Sequence, residues 1–176
     1  LCDPISSDMS PIKDSQIRYW TEMPSQYSGV IVVDPAYSED VSADYKVASL
    51  IGLDGQGNRY LFSYLRNHNP TGEFIDGIIN MWLNNKHFVT ALGIPQGAGD
   101  KEFYTSFMKK CEDRKVYPPV VELKNSFKSA SGEVKRNKKQ RITAALQPLF
   151  ESGKYYIHPN HIEARDELLT IGSSRY

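Results

Sequence analysis

At 176 residues the chain has room for one domain of ordinary size, and a 40% hydrophobic share with 11% aromatics closes a core and excludes a disordered or fibrous chain. Lys plus Arg and Asp plus Glu number 21 each, so zero net charge removes the simplest case for a polyanion partner and makes local patches the question. Cys2 and Cys111 are too few for a disulfide scaffold or a zinc finger and read as reduced thiols; with no membrane-length apolar run, signal peptide or glycosylation sequon, an intracellular protein is expected.

Residues 1–28, rich in Ser, Pro and Asp with an amphipathic patch of Ile17, Tyr19, Trp20 and Met23 before Pro24, read as a linker packed on a domain edge. The chain opens at Leu1 and stops straight after Gly172-Ser173-Ser174-Arg175, which reads as a piece of something longer. From Gly29 the run Val30-Ile31-Val32-Val33-Asp34 predicts a central strand buried on both faces, with a carboxylate at its tip before Pro35. Lys46 to Leu53 and Arg59 to Leu65 flank Asp54-Gly55-Gln56-Gly57 and predict a hairpin.

Thr71 is placed to cap a helix whose apolar stripe is Phe74, Ile75, Ile78, Ile79, Trp82 and Leu83. His87 to Leu92 predicts a short strand, Gly93 to Gly99 a loop, and Asp100 the start of a helix with Phe103, Tyr104, Phe107, Met108 and Cys111 inward. Val120 to Leu123 predicts a strand and Asn125 to Asn137 a polar, flexible segment. A third helix carries Ile142, Ala145, Leu146, Leu149 and Phe150, kinked or shortened by Pro148. The strand Tyr155 to Ile157, a turn at His158-Pro159-Asn160 and a helix through Leu169 complete the chain. Strands interleaved with helices after a hairpin predict an α/β fold with a mixed sheet.

Asp34 is the most informative residue, because an ionised carboxylate ending an apolar strand is aimed by a rigid sheet at a metal or a substrate; the alternative is a turn-forming Asp before Pro35. Asp44 comes close to it if neighbouring strands bring the two together, and otherwise reads as a cap or a solvated loop acid. Lys124, Lys128, Lys135, Arg136, Lys138, Lys139 and Arg141 stand against Glu133 alone, a net +6 in a neutral chain. Such a segment suits a phosphate backbone, or else is a solvated loop. His158 and His161 flank a proline turn and read as surface residues, and Gly97-Ala98-Gly99 lacks the Lys of a phosphate-binding ATPase loop.

Together these segments resemble the C-terminal nuclease domain of the large terminase subunit of tailed bacteriophages, over nearly the whole chain. The resemblance lies in Val32-Val33-Asp34-Pro35-Ala36 with Ser38 and Ala43-Asp44-Tyr45, in Lys138, Arg141 and Ile142 through Leu146, Pro148, Glu151 and Gly153, in His161 to Leu169 with Glu167, and in Ile17 to Pro24 as the connector after an ATPase module. It implies a ribonuclease H-like fold of the retroviral-integrase superfamily, a mixed central sheet with helices on both faces. It also divides the chain into an edge segment, 1–28, after an ATPase domain and a nuclease domain, 29–176, cut short at its C-terminal end.

The implied activity is metal-dependent endonuclease cleavage of concatemeric double-stranded DNA during packaging, with two Mg²⁺ or Mn²⁺ ions, Asp34 as metal ligand and Asp44 in support. Lys128, Lys135, Arg136, Lys138, Lys139 and Arg141 become DNA contacts. The implied partners are the ATPase domain of the same polypeptide, the portal and the small terminase subunit, in the cytoplasm of an infected bacterium and without a membrane. Two departures stand out: the second acid of the family is missing, with Ala91, or else Gly93 or Pro95, in its place, and the closing acidic motif would follow Tyr176. One carboxylate does not offset two dications, which keeps a silenced DNA-binding or regulatory module open, alongside another ribonuclease H-like nuclease such as a junction resolvase.

Overall fold

The computed structural model of the protein describes residues 10–35, 45–95, 100–123 and 138–171, with only the backbone of Lys138 and Lys139. In chain order these form β1 (Arg18–Tyr19), β2 (Tyr27–Asp34), β3 (Lys46–Asp54), β4 (Arg59–Asn67), α1 (Thr71–Asn85), β5 (Val89–Pro95), α2 (Asp100–Asp113), β6 (Val120–Leu123), α3 (Lys138–Glu151), β7 (Tyr155–Ile157) and α4 (Ile162–Thr170). The described strands make one sheet in the order β1-β7-β4-β3-β2-β5-β6. β2 runs antiparallel to β3 and parallel to β5, which is parallel to β6, so the expected mixed α/β sheet is what forms. By packing, the chain divides into two units: Gln26–Gly55 with Leu61–Phe127, and Leu1–Ser25 with Gln56–Tyr60 and Lys128–Tyr176.

In the first of these units, β2 buries Gly29, Ile31 and Val33 and leaves Ser28, Val32 and Asp34 exposed. The expectation of burial on both faces is therefore corrected to burial on one. The β-branched run reflects a strand paired along both edges, which composition cannot separate from a strand covered on both faces. β3 continues the buried row with Ala48 and Leu50, paired to Val33 and Ile31. Gly52 extends that row because Phe62 lies where a side chain would stand, and Phe62 meets Tyr27 edge-on at 5.0 Å. β3 and β4 are the expected hairpin, turning at Gly57 with φ +79°, a left-handed conformation that suits glycine.

α1 buries Phe74, Ile75, Ile78, Ile79 and Met81, while Trp82 and Leu83 stay half-buried. Its N-cap is Pro70 and Thr71 is already helical, so the Thr71 cap is corrected: no side-chain cap forms. α2 turns Phe103, Phe107 and Cys111 inward at i, i+4 spacing, while Tyr104 is half-buried and Met108 exposed, so the expected inward face is corrected to the narrower stripe. The two helices are tied by Lys110–Asp76 at 2.6 Å, Arg114–Asn80 at 2.8 Å and the Phe74–Phe103 ring pair at 6.2 Å. Burial pushes the Cys111 thiol up to about 11, against the opposing charge of Arg114, so it stays protonated at neutral pH. β5 runs on through Gly93 to Pro95, where a loop was expected, because Leu92 to Pro95 pair with Val120 to Leu123 of β6.

In the other unit the edge segment supplies core and strand. Ile12 and Ile17 are buried with Phe150, Tyr155 and Ile157, and β1 pairs in parallel with β7 through Arg18–Tyr156 and Tyr19–Ile157. Asp14 accepts from Arg165 of α4 at 2.7 Å. α3 passes through Pro148 and ends at Glu151, since a proline one turn from the end removes a single helical hydrogen bond. The Ser152 hydroxyl donates to the Pro148 carbonyl at 2.7 Å there. The chain then reverses at Gly153, φ +63°, where a Cβ would collide with Arg18. Gly153→Ala is expected to lower stability by about 1–2 kcal/mol from the left-handed backbone and that collision. Urea melts check it against Gly55→Ala, whose Cβ meets nothing within 4 Å and which leaves the midpoint in place.

Candidate functional site

Parallel pairing sets the geometry. β2, β5 and β6 end at one edge of the sheet, with Asp34, Pro95 and Leu123 as their last residues. In open α/β sheets the carboxyl ends of parallel strands are where ligands bind, because the loops leaving them converge on the crevice outside. Asp34 is exposed on the face opposite the buried Ile31 and Val33 and pairs with Val47. β6 reaches this same edge at Leu123, which pairs with Pro95 and directly precedes the basic segment in the sequence.

Ala91 stands opposite Val30 and Gly93 opposite Val32. Four residues separate Val30 from Asp34, roughly 13 Å of strand, whereas continued pairing carries Pro95 to the row of Asp34. Of the three positions considered for a second acid, Gly93 and Pro95 therefore lie nearer Asp34 than Ala91 does. Asp44, Lys128, Lys135 and Arg136 fall outside the described residues. Lys138, Lys139 and Arg141 lie in the first turn of α3, in the other packing unit from Asp34.

A pair of divalent ions needs several hard oxygen donors. Among the described residues no group of three or more His, Cys, Asp or Glu could hold an ion, and on the face of Asp34 the strand neighbours are Val47, Ser49, Ala91, Gly93 and Pro95. Among the described residues, then, no complete donor set for a pair of dications is assembled. His158 and His161 lie 5.6 Å apart, with Trp20 edge-on to His158 at 4.9 Å. Burial, and then the charge of His158, lowers the His161 pKa below its ordinary 6.5. A lowered folded-state value means that His161 contributes stability above pH 6.5, lost as the pH falls through the lowered value. Stability is expected to fall on acidification from pH 7.5 to 5.5, and less steeply in His161→Gln, which urea midpoints at the two pH values measure.

Two features escaped the sequence reading. Lys46 opens β3 one residue before the partner of Asp34, on the buried face, at 1% exposure, and its Nζ has no hydrogen-bond partner among the described residues. Its position on the inward row with Ala48 and Leu50 was the available signal. At the end of β4, the Arg66 guanidinium carbon lies 3.3 Å from the centre of the Tyr45 ring, and the His68 ring packs on the same ring at 3.9 Å, tilted by 38°. Arg66 and His68 at i, i+2 on a strand was the only hint of that cluster.

Two solved structures share this arrangement. The large terminase nuclease domain of P22 superposes with a TM-score of 0.61 at 13% identity, covering 89% of this chain and 75% of that one. The large terminase nuclease from thermophilic phage G20c superposes with a TM-score of 0.53 at 17% identity, covering 93% of this chain and 77% of that one. The fold is that of phage large-terminase nuclease domains. It is ribonuclease H-like, as the sequence resemblance implied. No family model and no curated protein matches the chain.

Proposed function

We propose that the chain is the nuclease module of a viral DNA-packaging terminase and cuts concatemeric double-stranded DNA. The observation that carries this reading is the place of Asp34: an exposed carboxylate ending a central strand, at the edge where parallel β5 and β6 also end, in a fold shared with terminase nucleases. Asp34 is the metal ligand in this reading and Asp44 its support. Asp34, with Asp44 and further donors, would hold Mg²⁺ or Mn²⁺, and such an ion would supply Lewis-acid activation of water and charge neutralisation at the leaving oxygen. Lys128, Lys135, Arg136, Lys138, Lys139 and Arg141 neutralise backbone phosphates, and binding accordingly weakens steeply with salt. The ATPase domain of the same polypeptide, the portal and the small terminase subunit are the proposed partners, in the cytoplasm of the infected host.

A second reading is a DNA-binding or regulatory module of the motor with a silenced site, favoured by the same-face strand neighbours of Asp34, since Val47, Ser49, Ala91 and Gly93 include no acid. Supercoiled plasmid incubated with Mn²⁺, Mg²⁺ or EDTA separates the two. Metal-dependent nicking supports the nuclease; salt-sensitive binding without nicking selects the regulatory module. Absence of any DNA affinity overturns both.

A further inference from the structure

Tyr45 lies directly before β3, two residues from Val47, the partner of Asp34. Two residues of strand rise and one strand spacing put its Cα roughly 8 Å from that of Asp34. Because β3 runs antiparallel to β2, it enters the sheet at the edge where β2 leaves it, so Tyr45 stands just beyond the Asp34 tip. Val47 shares the exposed face of Asp34, and Tyr45, two residues earlier, continues that row at 40% exposure. Arg66 and His68 come to the same place from β4, the neighbour of β3 on the side away from Asp34.

A guanidinium lying flat on an aromatic ring loses little of its hydrogen-bonding capacity, since its N–H groups point outward in the plane of the fork. The ring fixes the long side chain, so less rotamer entropy is lost when a phosphate is gripped. His68 adds a second ring against Tyr45, and its Nδ1 has no hydrogen-bond partner among the described residues. A half-buried arginine, braced by an exposed tyrosine beside the proposed cutting carboxylate, has the chemistry of a phosphate clamp.

We infer that Arg66, held by Tyr45 and His68, grips a backbone phosphate of the DNA near the scissile bond and sets the strand in register with Asp34. The inference rests on the nuclease reading and adds to it a contact outside the basic segment. Arg66 is a positioning residue in this arrangement, and Tyr45 acts through it.

The test is binding of a fluorescein-labelled DNA duplex to the whole chain in EDTA across a salt series, with thermal melts to verify folding. Arg66→Ala is expected to weaken binding about 5–10-fold and to reduce the slope of log affinity against log salt by about 1, the signature of one lost phosphate contact. Arg66→Lys keeps the slope because the charge stays, but loses affinity because the planar stack and fork are gone. Tyr45→Phe retains the ring and binds as the parent does, whereas Tyr45→Ala loses affinity. Parent-like affinity and slope in Arg66→Ala, with the parent itself binding DNA, overturn the clamp and leave the nuclease reading standing. A parent chain with no DNA affinity overturns that reading and the clamp with it.

Discussion

Asp34→Asn is expected to reduce metal-dependent plasmid nicking by at least about 100-fold, the scale on which one essential charge-stabilising group acts in a catalytic site. The substitution keeps shape and polarity and removes only the charge. Asp34 is exposed and the change is isosteric, and thermal melts verify that the variant folds. DNA affinity in EDTA should hold or rise, because a negative charge is removed from the strand tips. The three readouts separate a catalytic carboxylate from a turn former. A turn-forming Asp before Pro35 leaves nicking untouched in the Asn variant, since Asn serves the turn as well. Nicking by Asp34→Asn at the parental rate would remove Asp34 from the chemistry and move the search to acids elsewhere in the chain.

Lys46→Met is expected to raise stability by about 1–4 kcal/mol, the range found when buried ionic groups give way to apolar side chains of similar volume. The lysine is 1% exposed, on a strand row that otherwise holds Ala48 and Leu50, and among the described residues its Nζ has no hydrogen-bond partner. Desolvating an ion without a partner is among the costliest events in a core, and the unbranched Met side chain follows the same path without a charge. Chemical denaturation measures the gain directly. A loss of stability instead would show that the ammonium is satisfied in the folded chain. The clamp makes a further comparison useful: Lys46→Met leaves the salt slope of DNA binding unchanged, because a buried cation contacts no phosphate.

What the sequence made legible was local. The β2 run, the hairpin at Gly57, the α1 and α2 stripes and the acid at Asp34 are each encoded within a dozen neighbouring residues, where periodicity and turn chemistry act. What escaped depends on contacts far apart in the chain. β1 is two residues long and exists through β7, nearly the whole chain away, so the edge segment read as a linker. The continuation of β5 through Gly93 to Pro95 needed β6 beside it. For the site, the tip of β2 was readable, but the spacing of Ala91, Gly93 and Pro95 from Asp34 follows from a parallel register that no single strand encodes. The bracing of Arg66 by Tyr45 is likewise tertiary, joining the end of one hairpin strand to the residue before the other.

The parallel pairing of β1 with β7 also has a mechanical side. Tension drawing the chain out through its amino-terminal side, against an anchor downstream of β7, pulls these two strands in opposite directions along their length. Both register pairs, Arg18–Tyr156 and Tyr19–Ile157, then carry the load together in shear instead of opening one after the other as a zipper does. Asp14 and Arg165 lie outside those rungs as a further tie between the two ends. The joint is therefore stiffest along the direction in which an upstream segment would tug on it, and weakest to a sideways peel at Tyr19.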